Sequence, residues 1–304
     1  MRFALRLLPA FLIAASAAAA AADPAGFAFL KVPAGARASA LGGAYSSVAD
    51  GLEGAFWNPA ALEGIHGLQV VATHYEFLEK LRHDQFAVGG RLLGGGVAGS
   101  LRALYSEPIE QRDEIGNLIG TFGTYDLDLG LGYGHSLGSS VRLGGSAHLV
   151  RERIAELTAM TWSVGLGGTW DPARWSGLRL SLDAQNLGPA AHYTIDKSQG
   201  APVKLPAAVQ AGASYGIGLA SGMRLTGALE SRLSSGERGV GMVGAELSHP
   251  SGAALRAGLR VGDTESRLGF GAGWTLQNVR LDYAFVPFRL DLGDTHRFSL
   301  SAQF

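Results

Sequence analysis

The chain has 304 residues, no cysteine and a formal net charge of −1. Without cysteine it can form neither disulfides nor thiolate metal sites, and it has no clustered basic face of the kind that binds nucleic acid. It contains 45 glycines, about twice the ordinary share, and only 17% of its residues are charged, which is sparse for a soluble domain.

The first 22 residues have the pattern of a secretory signal peptide. Arg2 and Arg6 give a positive start, a short apolar stretch follows, and Ala20 to Ala22 fits a small-residue cleavage site before Asp23. Cleavage near Ala22 would leave a net charge of about −3, and the chain would leave the cytoplasm. Beyond this segment no run of about 18 apolar residues occurs, which excludes a helical inner-membrane protein.

Residues 23–65 form a segment of their own that does not alternate in polarity. The segment is rich in Gly, Ala and Ser, which pack tightly in a confined space, and it contains the turn Asn58-Pro59-Ala60. Pro59 forces Asn58 away from helical geometry, and the Asn58 side chain favours an Asx-turn. Two interpretations are open: a surface leader before the first strand, or a folded plug (hatch) in the mouth of a barrel.

Residues 66–304 alternate between apolar and polar side chains in about fourteen segments of roughly ten residues. In one of them Leu127, Leu129 and Leu131 alternate with Asp128 and Gly130. This length crosses a bilayer at a tilt, and a closed barrel leaves no backbone group unpaired in lipid. We therefore predict an all-β protein, a transmembrane antiparallel β-barrel of about 14 strands with a small N-terminal plug. A soluble β-sandwich is the alternative.

In a membrane barrel the polar face of each strand points into the lumen. The charged residues predicted to lie there are Arg142, Arg179, Asp183, Arg256, Arg260, Arg280 and Asp282. They either fill a polar interior or form a ring of arginines that selects anions. We expect short turns at one end, such as 138–140, and longer loops at the other, at 106–122, 154–159 and 187–204.

The last residues alternate strictly, with Phe298, Leu300 and Phe304 on one face and Arg297 and Ser299 on the other. This ending resembles the terminal signal by which outer-membrane barrels are handed to their assembly machinery. The assignment of one strand face to lipid and the other to the lumen also predicts the effects of substitutions at Leu259 and Gly258. Leu259→Arg should destabilise the barrel by about 2–4 kcal/mol near mid-membrane, and Gly258→Ser should be milder unless the plug packs there.

Three separate stretches resemble the PorV/PorQ family of outer-membrane proteins. They are the segment from Gly35 through Trp57-Asn58-Pro59-Ala60, the segment Ala184 to Gly188 with Leu205-Pro206, and the segment from Asp282 to Phe298. The family is similar in architecture to FadL-type long-chain fatty-acid transporters, with fourteen strands and an N-terminal hatch that contains an Asn-Pro-Ala turn. Asn58, Pro59 and Ala60 match that turn residue by residue.

The resemblance implies two functions of different classes. FadL-type relatives pass hydrophobic small molecules through a plugged barrel and out sideways through its wall. Another branch of the family serves type IX secretion, where the barrel binds the C-terminal signal domain of cargo proteins. Either function implies localisation in the outer membrane, with outer-membrane lipid and the barrel assembly machinery as partners.

No catalytic, cofactor-binding or metal-binding motif in the sequence has the structural context or spacing that its function requires. The sequence Gly134-His135-Ser136-Leu137-Gly138 matches a hydrolase nucleophile elbow, but that elbow needs a helix after the serine, whereas another alternating segment follows. The eight histidines lack zinc-binding spacing. We expect a non-enzyme without cofactor.

Overall fold

The computed structural model describes residues 26–76, 81–195, 198–263, 266–288 and 293–304. The signal-peptide interpretation for residues 1–22 lies outside the described residues. Eighteen strands are present in the described part of the chain: β1 Gln69–Glu76, β2 Leu81–Leu92, β3 Gly95–Ser106, β4 Ile109–Arg112, β5 Leu118–Phe122, β6 Thr124–Leu137, β7 Val141–Ile154, β8 Leu157–Trp170, β9 Leu178–Leu187, β10 Ala191–Ile195, β11 Ser198–Val203, β12 Ala208–Gly218, β13 Arg224–Ser234, β14 Val240–Ser248, β15 Ala253–Val261, β16 Leu268–Leu276, β17 Val279–Pro287 and β18 Asp294–Gln303.

Fourteen of these strands form a closed antiparallel barrel, as predicted. Each barrel strand pairs with its neighbours, and the barrel closes because β1 pairs with β18 from Gln69↔Gln303 to Tyr75↔Arg297. The other four strands form two hairpins, β4–β5 and β10–β11, within the longer connections. Closure leaves no edge strand in the barrel wall itself.

The two ends of the barrel differ. The turn end carries the short connections, such as 93–94 and 277–278, together with Phe304; the loop end carries both extra hairpins. Our expectation of a longer loop at 154–159 is wrong. Strands β7 and β8 continue to Ile154 and from Leu157, so only two residues connect them. The cross-strand pair Ile154↔Leu157 closes this turn directly.

The two faces of the strands follow the alternation. Outward side chains are apolar and exposed, as at Leu131 (71% exposed) and Leu255 (65%), whereas the inward neighbours Asp128 and Arg256 are buried. On β18, Phe298 and Leu300 point outward and Arg297 and Ser299 are buried. This distribution is the reverse of a soluble protein, and it fits a wall that faces lipid.

The described residues 26–65 lie inside the barrel and fold into short helical pieces. They are a 3₁₀ turn at Ala28–Lys31, helix α1 at Ala36–Ala40, and 3₁₀ helices at Gly51–Phe56 and Pro59–Gly64. We call residues 26–65 the hatch. Most of its side chains are buried, including Tyr45, Leu41 and Leu62 at 1% exposure or less. None of the helices in the described ranges is long and apolar enough to cross a membrane.

Candidate functional site

The turn Asn58-Pro59-Ala60 lies deep in the lumen and connects the hatch to the wall. The Asn58 Oδ1 accepts a hydrogen bond from the Ala60 N–H at 3.0 Å, which caps the 3₁₀ helix that Pro59 begins. The Asn58 Nδ2 donates to Ser46 Oγ within the hatch and to the Gly168 carbonyl of β8, each at 3.3 Å. The fully buried Asn58 side-chain amide therefore stabilises the turn and hydrogen-bonds it to the barrel wall.

A network of ion pairs joins α1 to the wall. The Arg37 guanidinium donates two hydrogen bonds of 2.7 Å to the Glu246 carboxylate of β14. Its Nη1 also lies 3.2 Å from Tyr45 Oη and 3.6 Å from Glu53. Tyr45 donates a short hydrogen bond to Glu53. Two-pronged pairing of this kind fixes orientation as well as distance.

Wall residues that the sequence predicted to be lumenal extend this network. Arg256 contacts Glu246 and lies 2.8 Å from Asp282, and Asp282 lies 2.7 Å from Arg280. Arg280 reaches Glu53 of the hatch at 3.9 Å. Acidic and basic groups alternate along this series of contacts, so each buried charge has an opposite neighbour.

The same arginines control the ionisation of the hatch carboxylate. Burial alone would raise the pKa of Glu53, but Arg280, Arg37, the hydrogen bond from Tyr45 and Arg256 together outweigh burial, and the pKa lies below its ordinary value. Burial is also the main reason why the pKa of Tyr45 is raised, so its hydroxyl stays protonated as the donor to Glu53.

A second set of bonds holds the hatch at Ser46 and Ser47. The backbone N–H groups of both serines donate to the Glu230 carboxylate of β13 at 3.0 and 2.8 Å, and the Ser47 hydroxyl donates at 2.6 Å. The Ser46 hydroxyl donates to Asp183 of β9 at 2.5 Å. The predicted lumenal residue Asp183 therefore binds the hatch, and it is 2% exposed.

The other predicted lumenal residues also carry ion pairs. Arg142 pairs with Asp50 of the hatch at 2.8 Å, Arg179 with Asp171 at 2.7 Å, and Arg260 with Asp263 at 3.1 Å. Of the seven predicted residues, five therefore join the hatch or its network, while Arg179 and Arg260 pair within the wall and loops.

Glycines on the inner face of the wall make room for the hatch. A Cβ added at Gly258 would lie 2.1 Å from the Gly42 nitrogen, and one at Gly144 would lie 2.3 Å from the Pro59 carbonyl carbon. A Cβ added at Gly96 would lie 1.8 Å from the Leu62 carbonyl oxygen of the hatch. These distances are far shorter than ordinary contact, so the hatch backbone lies directly on the glycine backbone of the wall.

The ladder between β8 and β9 is interrupted beside the hatch. Val164 pairs with Leu187 and Leu166 with Ala184, so Gly165 alone faces the two residues Gln185 and Asn186. Asn186 has φ +57°, the left-handed region that Asn tolerates better than most residues. Toward the loop end, residues 188–195 lie beside β8 and form only isolated hydrogen bonds with it. In one of these, the Thr161 Oγ1 donates to the Pro189 carbonyl at 3.0 Å.

This seam between β8 and β9 touches the hatch from both sides. Gln185 of β9 donates a short hydrogen bond to the Trp57 carbonyl, and Asn58 donates to Gly168 of β8. Two neighbouring residues of the hatch therefore hold the two strands on either side of the break.

Cavities lie on both sides of the hatch, and an apolar cluster lies near the loop end. A loop-end cavity of about 290 Å³ is lined by Trp57, Arg232, Arg260 and Arg297 among others. A turn-end cavity of about 640 Å³ lies between the hatch and the turn at 171–177. Near the loop end, Phe27 and Leu30 of the hatch pack on Leu104 and Val150 of the wall and on Leu205, which lies between β11 and β12.

Sequence reasoning missed the residues that bind the hatch most directly: Arg37, Glu53, Glu230 and Glu246. Glu230 and Glu246 occupy polar positions of alternating segments, as Arg256 does, so the alternation could have found them. The described residues contain no group of three or more His, Asp or Glu side chains placed to hold a metal. Ser136 lies near the end of β6 and Gly138 in the following hairpin turn, so no nucleophile elbow forms.

The fold is that of FadL-type outer-membrane channels. A mutant of the TodX monoaromatic hydrocarbon channel superposes with a TM-score of 0.62 at 14% identity, covering 90% of this chain and 99% of that one. The CymD monoaromatic hydrocarbon channel gives 0.60 at 12% identity, covering 89% and 97%. A Pseudomonas aeruginosa FadL homologue gives 0.55 at 11% identity, covering 89% and 98%.

Similarity at this level of identity defines the fold: a closed 14-stranded barrel of the kind found in outer-membrane proteins. The relatives are channels or a FadL homologue and not enzymes. No family profile matches the chain, and no curated protein sequence matches it. The resemblance to the PorV/PorQ family therefore stays a hypothesis.

Proposed function

We propose that this protein is an outer-membrane barrel of the PorV/PorQ family that passes hydrophobic small molecules through its plugged lumen and releases them sideways through the wall. The observation that carries the proposal is the seam between β8 and β9. There the barrel ladder is interrupted, and the hatch residues Trp57 and Asn58 bond to both strands. Movement of the hatch would release the seam.

The distribution of polarity supports passage from the loop end toward the seam. An apolar solute entering at the loop end meets the cluster around Phe27, Leu30 and Leu205. The path straight on is closed by the ion pairs of Arg37, Glu246 and their neighbours. An apolar solute gains free energy by entering lipid rather than water or a charged lumen, so the seam is the favourable exit.

Orientation and biogenesis belong to the same proposal. With the terminal strand β18 acting as the assembly signal, the turn end would face the periplasm and the loop end the exterior. Mature protein would begin at Asp23, and Phe298, Leu300 and Phe304 would be read by the assembly machinery.

The proposal is tested by locking the hatch. Ala40 of α1 and Ala284 of β17 pack in one buried cluster, and the chain has no natural cysteine, so Ala40→Cys with Ala284→Cys gives a unique pair. In intact cells, uptake of the neutral fluorescent probe N-phenyl-1-naphthylamine should stop on oxidation and resume on reduction. The two single-cysteine variants serve as controls. Equal uptake in the oxidised and reduced double variant would refute passage gated by the hatch.

The type IX secretion function has one specific observation in its favour. The β4–β5 hairpin at the loop end exposes Ile115 (83%), Leu118 (58%) and Ile119 (60%), an apolar tip suited to a protein partner. This alternative predicts that proteins with a shared C-terminal domain co-purify with the barrel and are lost in an Ile115→Asp, Ile119→Asp variant. Cargo capture with no probe uptake would favour secretion over transport.

A further inference from the structure

Three side chains on the inner face of two neighbouring strands form a continuous series of hydrogen bonds. Asp128 lies on β6, and Ser146 and His148 lie on β7. The His148 Nδ1 lies 2.9 Å from Asp128 Oδ1, and the His148 Nε2 lies 3.0 Å from Ser146 Oγ. An ionised carboxylate can only accept, so Nδ1 carries the ring proton and Nε2 accepts the hydrogen bond from the Ser146 hydroxyl. We call these three residues the lumenal triad, because their order is that of an activated serine nucleophile.

Glycines on the adjacent strands give the triad the room that it needs. Gly130 of β6 lies opposite His148 in the ladder, and a Cβ added there would lie 2.8 Å from the His148 Cε1. The Ser146 Oγ lies over β8 in the same way, 2.6 Å from the position of a Cβ on Gly165. Gly165 is the residue at which the ladder between β8 and β9 is interrupted. The Ser146 hydroxyl therefore lies at the inner side of the seam.

The nucleophile and the base of the triad are accessible within the lumen, and apolar groups lie on both sides of them. The side chain of His148 is 16% exposed, and Ser146 is partly exposed. On the turn side, Leu62 of the hatch lies against the strand β6. On the loop side, Val150 belongs to the apolar cluster that contains Phe27. An apolar molecule that enters at the loop end would therefore meet the triad after passing this cluster.

Two hydrogen-bond donors beside the triad lack an acceptor among the described residues. One is the hydroxyl of Ser163, which lies opposite His148 in the ladder between β7 and β8 and is 1% exposed. The other is the Nε of Arg102, which lies opposite Asp128 in the ladder between β3 and β6. A buried donor without an acceptor is unfavourable. The carbonyl oxygen of an ester gains negative charge when a nucleophile attacks, and donors of this kind stabilise that charge.

We propose that the lumenal triad is a serine esterase site for apolar carboxylic esters, with Ser146 as nucleophile, His148 as general base and Asp128 as a positioning residue. The Ser146 Oγ forms a bond to the ester carbonyl carbon, and its proton passes to the His148 Nε2. The ester C–O bond breaks, and the alcohol leaves with that proton. Water then gives a proton to His148 and its oxygen to the acyl carbon, the bond from Oγ to carbon breaks, and Ser146 is protonated again.

The nucleophile is identified on the wild-type protein with diisopropyl fluorophosphate. An activated serine displaces fluoride from this reagent and keeps the phosphoryl group on its oxygen, whereas an ordinary serine reacts negligibly. The folded barrel in octyl glucoside micelles is treated with the reagent and digested, and the labelled peptide is sequenced by mass spectrometry. We expect the label on Ser146 and no label when the protein is unfolded before treatment. Absence of label, or a label on a different serine, would overturn the esterase site.

Catalysis is measured as hydrolysis of 4-nitrophenyl butyrate by the same preparation, and a heat-modifiable band confirms that each variant is folded. Ser146→Ala and His148→Ala should lower kcat by about 100-fold or more. Ser136→Ala is the matched control, because Ser136 lies near the turn end of β6 and should leave the rate unchanged. Asp128→Asn should lower kcat and leave KM unchanged, because it alters the proton position on His148 and not the binding of the ester.

Equal hydrolysis by the wild type and Ser146→Ala would show that the triad only fills the polar lumen, and would overturn the proposal. The labelling of the wild-type protein keeps the test decisive if a variant does not fold. Hydrolysis in micelles requires no passage through a membrane, so its outcome is independent of the uptake test. Hydrolysis without gated uptake would contradict the proposed passage alone, and gated uptake without hydrolysis or label would contradict the esterase alone.

Discussion

Gly258→Ala is expected to displace the hatch while leaving the barrel intact. The added Cβ would lie 2.1 Å from both the Gly42 nitrogen and the Leu41 carbonyl carbon, so the hatch backbone must withdraw by roughly 1 Å. Overpacking of this kind costs about 1–3 kcal/mol, and the upper part of the range applies because backbone atoms cannot rotate away. The shift also lengthens the 2.7 Å hydrogen bonds between Arg37, four residues before Leu41, and Glu246.

The assay compares ion conductance and acrylamide quenching of Trp57 fluorescence. Gly258→Ala should raise both, because Trp57 belongs to the same buried cluster as Leu41. Gly227→Ala is the matched control: it adds the same methyl group to a barrel strand, and nothing lies within 4 Å of its Cβ. Wild-type conductance and quenching in Gly258→Ala would refute the close packing of hatch on wall.

Three further predictions follow from the outer wall, the terminal strand and the ion-pair network. Leu131→Arg, in the middle of β6 and 71% exposed, should destabilise the barrel by about 2–4 kcal/mol in urea unfolding, whereas Leu137→Arg at the strand end should cost only about 0–1 kcal/mol; equal costs would contradict the assignment of the lipid-facing band. Deletion of Phe304 should lower the yield of heat-modifiable folded barrel in the membrane, and an unchanged yield would remove its role in assembly. Because the pKa of Glu53 is lowered in the folded state, its contribution is present above the ordinary pKa and is lost only as pH falls through the lowered value. The difference in conductance between the wild type and Glu53→Gln should therefore stay constant from about pH 7.5 to 5.5. A difference that disappears within that window would show that Glu53 does not act as a charged latch.

The barrel could be predicted from sequence because its wall is built from local alternation. The polarity of each strand residue indicates which face of the strand it occupies. Leu131 could therefore be assigned to the outside and Asp128 to the inside without knowledge of the neighbouring strands. The number of barrel strands followed for the same reason. The loop expected at 154–159 was wrong because turn length depends on strand pairing, here Ile154↔Leu157, and the residue types do not show this pairing.

The contacts of the hatch could not be predicted because they join residues far apart in the chain. Ser46 and Asp183 are 137 positions apart, and Arg37 and Glu246 are 209 apart. Nothing near Ser46 in the sequence indicates which inward carboxylate it meets. The seam between β8 and β9 likewise depends on a register shift that appears only when both strands are placed.

Inward-facing glycines indicate where the hatch backbone approaches the wall, and the sequence prediction did not make full use of them. We expected Gly258→Ser to be mild unless the plug packs there, and the Gly42 backbone does lie against Gly258. Substitution at this site is therefore expected to be damaging. Inward glycines in long alternating strands, such as Gly144 and Gly258, indicate where another backbone approaches.

The central claim, that residues 26–65 close the lumen, is tested most directly by single-channel recording in planar bilayers. The protein from Asp23 to Phe304 is compared with a variant that lacks residues 23–60 and keeps every barrel strand. The strands carry their own hydrogen-bond ladder, so the truncated barrel should fold and conduct ions several-fold better than the intact protein, which should conduct few. Equal conductance of the two folded barrels would contradict the account.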